Sequence, residues 1–162
     1  MTGKSRSRRK MVIRLGMVVG EFNSEITERM LRQALKRSAE LRALTTYVCK
    51  VPGSYDMPLI IQALLEKNDV DAVVTLGAIV KGETKHDEVI AESLVGRITE
   101  LSLQFGKPVT LGVSGPAVSW DQALARAEEY AGRGVDAAVK MTLRHRKVRR
   151  RHGSPSYPVV IE

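Results

Sequence analysis

The segment between residues 77 and 88 holds the side chains best suited to chemistry. It reads Gly-Ala-Ile-Val-Lys-Gly-Glu-Thr-Lys-His-Asp-Glu and continues an apolar run. Thr84, followed three residues later by Asp87, fits a capping box, which predicts a helix start at residues 84–85 with free N–H groups at its positive end. His86 would lie in the first turn, where an imidazole is suited to proton transfer. The segment therefore predicts an anion site beside a general acid-base, although a lone histidine at a helix start is more often a surface residue.

Three other segments follow apolar runs and carry aromatic or polar groups. Phe22 follows the first run, where its ring could cover a planar heterocycle or simply fill a helix-sheet interface. Ser54, Tyr55 and Asp56 follow a Pro-Gly turn and suit a polyhydroxylated ligand, although Ser54 or Asp56 could equally serve as a helix cap. Arg126 lies beyond the fourth run, and a guanidinium is the preferred partner of a phosphate.

The elements that must position these groups follow from hydrophobic periodicity. Four short, β-branched runs predict strands, and the stretches between them repeat apolar residues at helical spacing. The predicted strands cover residues 12–19, 45–51, 72–78 and 109–113. Continuously apolar strands alternating with helices predict a four-stranded parallel sheet in a three-layer α/β/α, flavodoxin-like fold. Ligands bind at the carboxyl ends of such strands, where all four loops with unusual residues lie.

The final helix is predicted to start near Ser119, whose hydroxyl can cap it. Its alanines recur at helical spacing toward a basic end. Gly132 and Gly134 lie within this helix, and we expect them to produce a kink or a break.

Composition places these elements in one domain with basic ends. The chain of 162 residues has a net charge of +8, whereas residues 15–139 hold 13 basic and 17 acidic residues, a balance of −4. We expect a basic flexible arm over residues 1–11, a folded domain over 12–145 and a basic tail over 146–162. Terminal charge runs of this kind are either solvated arms or polyanion-binding segments. The low aromatic content of 4% disfavours specific nucleic-acid binding by the body.

Several classes of protein are disfavoured by what the sequence lacks. It has neither a long apolar segment nor a secretory signal, which predicts a cytoplasmic protein without a membrane partner. Cys49 is the single cysteine and cannot form an internal disulfide, so a buried thiol is expected. His145 and His152 lie in the basic run over residues 140–152, far from His86 in the sequence, which disfavours a metal site with His86. Neither a nucleotide-binding glycine loop nor a dinucleotide fingerprint occurs, and we expect no cofactor.

Together, the four loops resemble those of lumazine synthases, especially the archaeal-type branch. The matching segments have the order and spacing of that family, and the Gly-Glu-Thr-x-His element is highly specific. They are residues 21–23, 51–58, 77–86 and 112–116. The resemblance implies a transferase of riboflavin biosynthesis that condenses 5-amino-6-(D-ribitylamino)uracil with 3,4-dihydroxy-2-butanone 4-phosphate. The products would be 6,7-dimethyl-8-ribityllumazine, phosphate and water.

The resemblance also implies roles for individual residues. His86 would move protons during catalysis. The phosphate would be held by Glu83, Thr84 and Arg126, with Arg133 as the alternative arginine. The ribitylaminouracil would be bound by Phe22, Asn23, Ser54, Tyr55, Asp56, Ala78, Ile79, Val80 and Leu111.

The chain departs from the bacterial pattern of the family at several positions. Leu111 stands where many bacterial members have an aromatic residue contributed across the subunit boundary. Tyr55 and Asp56 stand where many have Phe and Glu, and the loop after the fourth strand is one residue longer. An apolar strand ahead of Val12, which many members lend to a neighbouring subunit, is missing.

The assembly implied by the resemblance is a homopentamer that can pack into a 60-subunit shell, with each active site between neighbouring subunits. Two other functions compete with this interpretation. One is the related riboflavin synthase of archaea, which lacks a phosphorylated substrate. The other is a non-catalytic shell protein that retained the fold, for which the basic ends are the only support.

Overall fold

The computed structural model describes residues 12–150 and 158–162, in which strands and helices alternate along the chain. The predicted arm therefore lies wholly outside the described residues, as does part of the tail. None of the described helices is long and apolar enough to cross a membrane. The elements are β1 (Arg14–Gly20), α1 (Ser24–Glu40), β2 (Leu44–Val51), a 3-10 turn (Ser54–Asp56), α2 (Met57–Leu65), β3 (Ala72–Val80), α3 (His86–Phe105), β4 (Val109–Val118), α4 (Trp120–Ala125) and α5 (Ala127–Arg150).

The four strands form one parallel sheet in the order β2-β1-β3-β4. The chain moves outward from β1 to β2 and then crosses back past β1 to β3 and β4. The strand order therefore reverses between β1 and β3, which is the point where parallel sheets of this kind leave a crevice for a ligand. All residues of β3 are buried except its last, Val80, because β3 is paired on both edges and covered on both faces.

Helices cover both faces of the sheet, which confirms the predicted three-layer α/β/α architecture. On one face, α1 and α5 bury an apolar cluster that includes Ile26, Met30 and Ala131. On the other face, α2 and α3 bury a second cluster around Ile61 and Leu94. The continuously apolar runs of β1, β3 and β4 are explained by these two cores, since each of these strands supplies side chains to both, whereas β2 contributes only to the second.

The prediction for the final helix is partly wrong. Ser119 does cap a helix, and its hydroxyl accepts from the Gln122 N–H in a capping box. The break falls at Arg126, however, and α5 then runs through Gly132 and Gly134 to Arg150. Gly134 is buried against β4 and serves close helix-sheet packing instead of a kink. The helix also extends five residues into the predicted tail, from 146 to 150.

Cys49 is only partly buried, which corrects the expectation of a buried thiol. It lies on β2, an edge strand whose side chains are less buried than those of the central strand β3. Val48 beside it is 42% exposed. The position of the strand in the sheet, which apolar content alone does not give, decides the burial of its side chains.

The packing of β3, β4 and α5 depends on a backbone contact at Gly112. A β-carbon there would lie 2.3 Å from the Thr75 carbonyl oxygen, which no small rearrangement relieves. Two buried hydroxyls bridge the same three elements: Thr75 Oγ1 donates to the Thr110 carbonyl oxygen (2.8 Å), and Thr110 Oγ1 donates to the Gly134 carbonyl oxygen (2.8 Å). Any displacement of β4 at this point would therefore break both hydrogen bonds.

We predict that Gly112→Ala lowers the free energy of unfolding by about 2 kcal/mol or more, because the backbone must move to admit the methyl group. Gly96→Ala is the matched control, since Gly96 is exposed within α3 and a β-carbon there meets nothing within 4 Å. Alanine in place of that helical glycine should raise stability by about 0.5 to 1 kcal/mol. Denaturant unfolding at one protein concentration measures both changes, and equal effects would refute the close-contact argument.

Candidate active site

A cavity of about 480 Å³ opens at the carboxyl ends of β1, β2 and β3. The carboxyl ends of the strands are the predicted position, and the structure adds that the cavity lies where the strand order reverses. Ten of the thirteen residues predicted for the site line it. The lining residues are Phe22, Asn23, Pro52, Gly53, Ser54, Tyr55, Asp56, Ala78, Ile79, Val80, Gly82, Thr84, His86, Asp87 and Ile90.

The loop after β1 is tied to both neighbouring strands. The Phe22 N–H donates to the Pro52 carbonyl oxygen at 3.0 Å. Asn23 adopts a left-handed conformation (φ 61°), which asparagine tolerates better than most residues, and its Nδ2 donates to the Ala78 carbonyl oxygen at 3.0 Å. The amide of Asn23 therefore holds the loop in place, and the ring of Phe22 projects at the rim with 75% of its surface exposed.

The loop after β2 turns its polar side chains toward the cavity and does not use them as caps. Gly53 and Asp56 precede the 3-10 turn and α2, and neither helix has a side-chain capping bond. Instead, the Asp56 N–H donates to the Gly53 carbonyl oxygen at 3.1 Å. Ser54 packs against β3, where a β-carbon on Gly77 would lie 2.7 Å from its Oγ. Glycine at position 77 thus leaves room for the hydroxyl.

The predicted capping box of Thr84 and Asp87 is wrong. Helix α3 begins at His86, its N-cap is Lys85, and no side chain caps it. The buried Asp87 carboxylate instead accepts a hydrogen bond at 3.1 Å from the N–H of Ala117, which has a positive φ of 61°. The Asp87 carboxylate therefore binds the loop after β4 and does not cap its own helix. Thr84 and His86 still line the cavity at the positive end of the α3 dipole.

The remaining predicted residues do not line the cavity of their own subunit. Glu83 and Arg126 are exposed and do not line the cavity. Leu111 is 46% exposed on β4 and does not line it either. Arg133, the alternative phosphate ligand, forms an exposed ion pair with Glu129 at 3.3 Å. Among the described residues that line the cavity, none is a lysine or arginine.

Five lining residues were not among those predicted: Pro52, Gly53, Gly82, Asp87 and Ile90. The first three are neighbours of predicted site residues in the same loops, so a prediction of the whole loop would have covered them. Ile90 lies at an apolar position with helical spacing, which carries no signal of a binding site. The spacing of Asp87 from Thr84 indicates a helix cap, so the sequence gives no sign that Asp87 lines a cavity.

These features define a class of protein: a flavodoxin-like α/β enzyme with a substrate cavity at the reversal of strand order. Within the described ranges, no group of three or more His, Cys, Asp or Glu side chains converges as a metal site. The family model for 6,7-dimethyl-8-ribityllumazine synthase matches residues 12–146. The chain belongs to that family, whose activity is that of a transferase in riboflavin biosynthesis.

Curated relatives agree with this assignment. The chain is 53% identical over 148 residues to the 6,7-dimethyl-8-ribityllumazine synthase of Saccharolobus islandicus strain M.14.25, covering 91% of this chain and 92% of the relative. It is 54% identical over 136 residues to the Saccharolobus solfataricus protein of the same name, covering 84% and 88%. The Pyrobaculum arsenaticum protein of that name is 49% identical over 138 residues, covering 85% and 92%. The resemblance to the archaeal-type branch is confirmed.

The bond from the Ala117 N–H to Asp87 leads to a prediction about stability. Asp87→Ala should lower the free energy of unfolding by about 1.5 to 3 kcal/mol, because a charge-assisted hydrogen bond is lost. Asp87→Asn keeps an acceptor oxygen and should lose less than about half of that. Glu88→Ala is the control, since Glu88 is exposed in the same helical turn. Its loss of the dipole interaction should cost only about 0.3 to 1 kcal/mol. Denaturant unfolding at a fixed protein concentration distinguishes them, and equal losses at positions 87 and 88 would refute the proposed contact.

Proposed function

We propose that this chain condenses 5-amino-6-(D-ribitylamino)uracil with 3,4-dihydroxy-2-butanone 4-phosphate, giving 6,7-dimethyl-8-ribityllumazine, phosphate and water. The observation that carries the proposal is the single cavity wall on which ten predicted residues meet at the strand ends. The relatives named as lumazine synthases support the same reaction. Incubating the protein with the two purified substrates and following lumazine absorbance tests it, and absence of that chromophore would refute it.

The wall offers a separate surface for each part of the pyrimidine substrate. The exposed ring of Phe22 can lie over the heterocycle, and stacking of this kind favours planar ligands. The edge of the ring would meet the backbone of residues 78–80, where β3 ends. The hydroxyls of the ribityl chain would meet Ser54 and Asp56, which line the cavity without serving as helix caps. Asn23 contributes by positioning the Phe22 loop.

His86 is the group placed to move protons during the reaction. The amine attacks the ketone and loses water to form an imine, phosphate leaves by elimination, and the second amine closes the ring with loss of water. Each step needs a proton added to or taken from nitrogen, oxygen or carbon, and an exposed imidazole at the cavity wall can exchange that proton with solvent. Holding the two substrates together in a reactive geometry supplies the larger share of the lowering of the activation free energy, about 7 kcal/mol or more.

The second substrate needs a cation that the cavity wall of one subunit does not provide. A phosphate dianion beside Thr84 would gain from the α3 dipole, equivalent to only about half a charge. No lysine or arginine is among the described lining residues, whereas Arg126 is exposed elsewhere on the subunit. A neighbouring copy that brings its Arg126 to this cavity would complete the site. We therefore propose that the sites lie between subunits of a homopentamer, which can pack further into a 60-subunit shell.

Exposed apolar side chains near the cavity support such a neighbour. Phe22 and Tyr55 on its rim are 75% and 70% exposed, and Leu59 and Val89 on α2 and α3 are 75% and 63% exposed. Monomeric proteins rarely leave large apolar side chains grouped in this way. Leu111 on β4, which lies away from the cavity of its own subunit, could also reach the neighbour's substrate.

The two alternative functions gain no support. A riboflavin synthase of the archaeal kind would have no phosphorylated substrate for the 81–86 loop, and the relatives reported above are named as lumazine synthases. A non-catalytic shell protein would have no need to keep the lining residues that this chain retains.

We predict that His86→Ala lowers kcat about 10²-fold, the lower end of the usual range for general acid-base catalysis. The lower end is expected because an amine and a ketone condense without help and the site still orients both. Each KM should change less than kcat. His86→Gln is the control for shape and should be equally impaired, since an amide cannot exchange protons near neutral pH. Initial rates of lumazine formation measure both, and wild-type rates would refute a catalytic role for His86.

A mixing experiment tests whether Arg126 acts across the subunit boundary. Arg126→Ala should raise the KM for the butanone phosphate about 10-fold to 150-fold, since a charge-assisted hydrogen bond is lost. The Arg126→Ala and His86→Ala variants are then dissociated, mixed at equal concentrations and reassembled. If each residue comes from a different copy, about a quarter of the sites should have both residues intact.

Recovery of activity in the mixture would support shared sites, whereas activity no higher than the average of the two variants would refute them. Reassembly of either variant alone under the same conditions is the control. An unchanged KM in Arg126→Ala would redirect attention to Arg133.

A further inference from the structure

A second recess, of about 270 Å³, lies near the amino ends of β3 and β4, at the opposite end of the strands from the active-site cavity. It is formed where the end of α5 passes the loops that precede β3 and β4. Its lining residues are mostly basic: Asp71, Gly106, Lys107, Pro108, Thr142, His145, Arg146, Arg149 and Arg150. Nothing in the proposed reaction uses this surface.

The basic residues of the recess continue the inner face of α5. Ala131, Ala138 and Thr142 on that face are buried against the sheet. At the same helical phase, three or four residues farther along, come Arg146 and Arg149, which line the recess. A basic run at a chain end is usually a solvated outer face. Here Arg146 and Arg149 line a concave surface, and Arg146 is partly buried.

One carboxylate in the recess is already shared between two arginines. Asp71 Oδ1 accepts from Arg14 at 3.0 Å and from Arg146 at 2.6 Å. Burial raises the pKa of Asp71, but the hydrogen bonds from Arg14 and the charge of Arg146 outweigh it and hold the pKa below its ordinary value. Asp71 is therefore ionised, and it is the single acidic side chain among the described lining residues. Positive charge remains in excess.

Lys107 adds a cation that is already fixed in position. Its Nζ donates to the carbonyl oxygens of Leu65 (2.6 Å) and Lys67 (2.8 Å). Burial lowers the pKa of Lys107, as expected for a charge removed from water without full compensation. An ammonium has three N–H donors, so one remains for a ligand. An anion in the recess would relieve the burial cost of this charge.

Stabilisation of the helix does not account for this cluster. Basic residues near a helix carboxyl end interact with the dipole, which is equivalent to about half a negative charge. The last turn of α5 supplies Lys147, Arg149 and Arg150, well beyond that requirement. The convergence of Lys107, from another element, on the same recess also lies outside a helix-capping explanation.

We propose that this recess is a second anion site, which binds a compact polyanion carrying two or more phosphate groups. Phosphate oxygens suit the guanidinium fork of arginine, and several phosphates can engage cations from α5 and from the loop before β4 at once. The concave shape and the modest volume favour a compact ligand over an extended strand.

Tripolyphosphate titration of the full-length assembly by calorimetry at low ionic strength tests the proposal. Arg149→Glu should weaken binding about 10-fold or more, because an attractive contact becomes a repulsive one. Arg144→Glu makes the same charge change on the same helix, but Arg144 is exposed outside the recess, so binding should change less than about 3-fold. Both variants should retain wild-type turnover, because neither residue lies in the catalytic cavity.

Four results would overturn the proposal. Absence of tripolyphosphate binding by the wild type would remove the site. Equal weakening by Arg149→Glu and Arg144→Glu would show general charge attraction, and no weakening by Arg149→Glu would place the ligand outside the recess. A single-stranded oligonucleotide that binds at the recess and resists displacement by tripolyphosphate would identify a nucleic-acid surface instead of a compact-anion site.

Discussion

The burial of β3 between β1 and β4 is the constraint on which the rest of the structure depends. With its edges paired and its faces covered, β3 cannot shift without exposing apolar residues or breaking ladder hydrogen bonds. Its end therefore fixes the backbone of residues 78–80. The Asn23 side chain holds the β1 loop to that end, and Ser54 packs against Gly77 on the same strand. The cavity wall inherits its geometry from one rigid strand.

Much of the fold could be predicted because strand runs and helix repeats are local patterns with strong physical causes. Features decided by contacts distant in sequence could not. Asp87 has the spacing of a cap, but Ala117, thirty residues away, takes its carboxylate. Gly134 is a residue type that favours a helix break, but its small size permits close packing against β4. The helix breaks at Arg126 instead. In each case the tertiary contact outweighs the local preference.

The same limit applies to the two binding surfaces. Residues of the active-site wall follow strands directly, so knowledge of the strand ends was sufficient to place Phe22, Ser54 and His86 together. Arg126 and Leu111 do not line the cavity of their own subunit, and their spacing along the sequence gives no sign of this. The basic recess could not be predicted from the charge run alone. Its identification depends on the helical phase of Arg146 and Arg149 relative to the buried face of α5.

The exposed position of Arg126, outside the cavity of its own subunit, bears on how the enzyme responds to dilution. If the phosphate cation comes from a neighbour, dissociation removes it from the site while the wall for the pyrimidine stays intact. Separated subunits would then retain their affinity for one substrate and lose it for the other. Loss of activity on dilution would appear first as a failure to saturate with the phosphate compound, and quaternary structure would set substrate selectivity as well as rate.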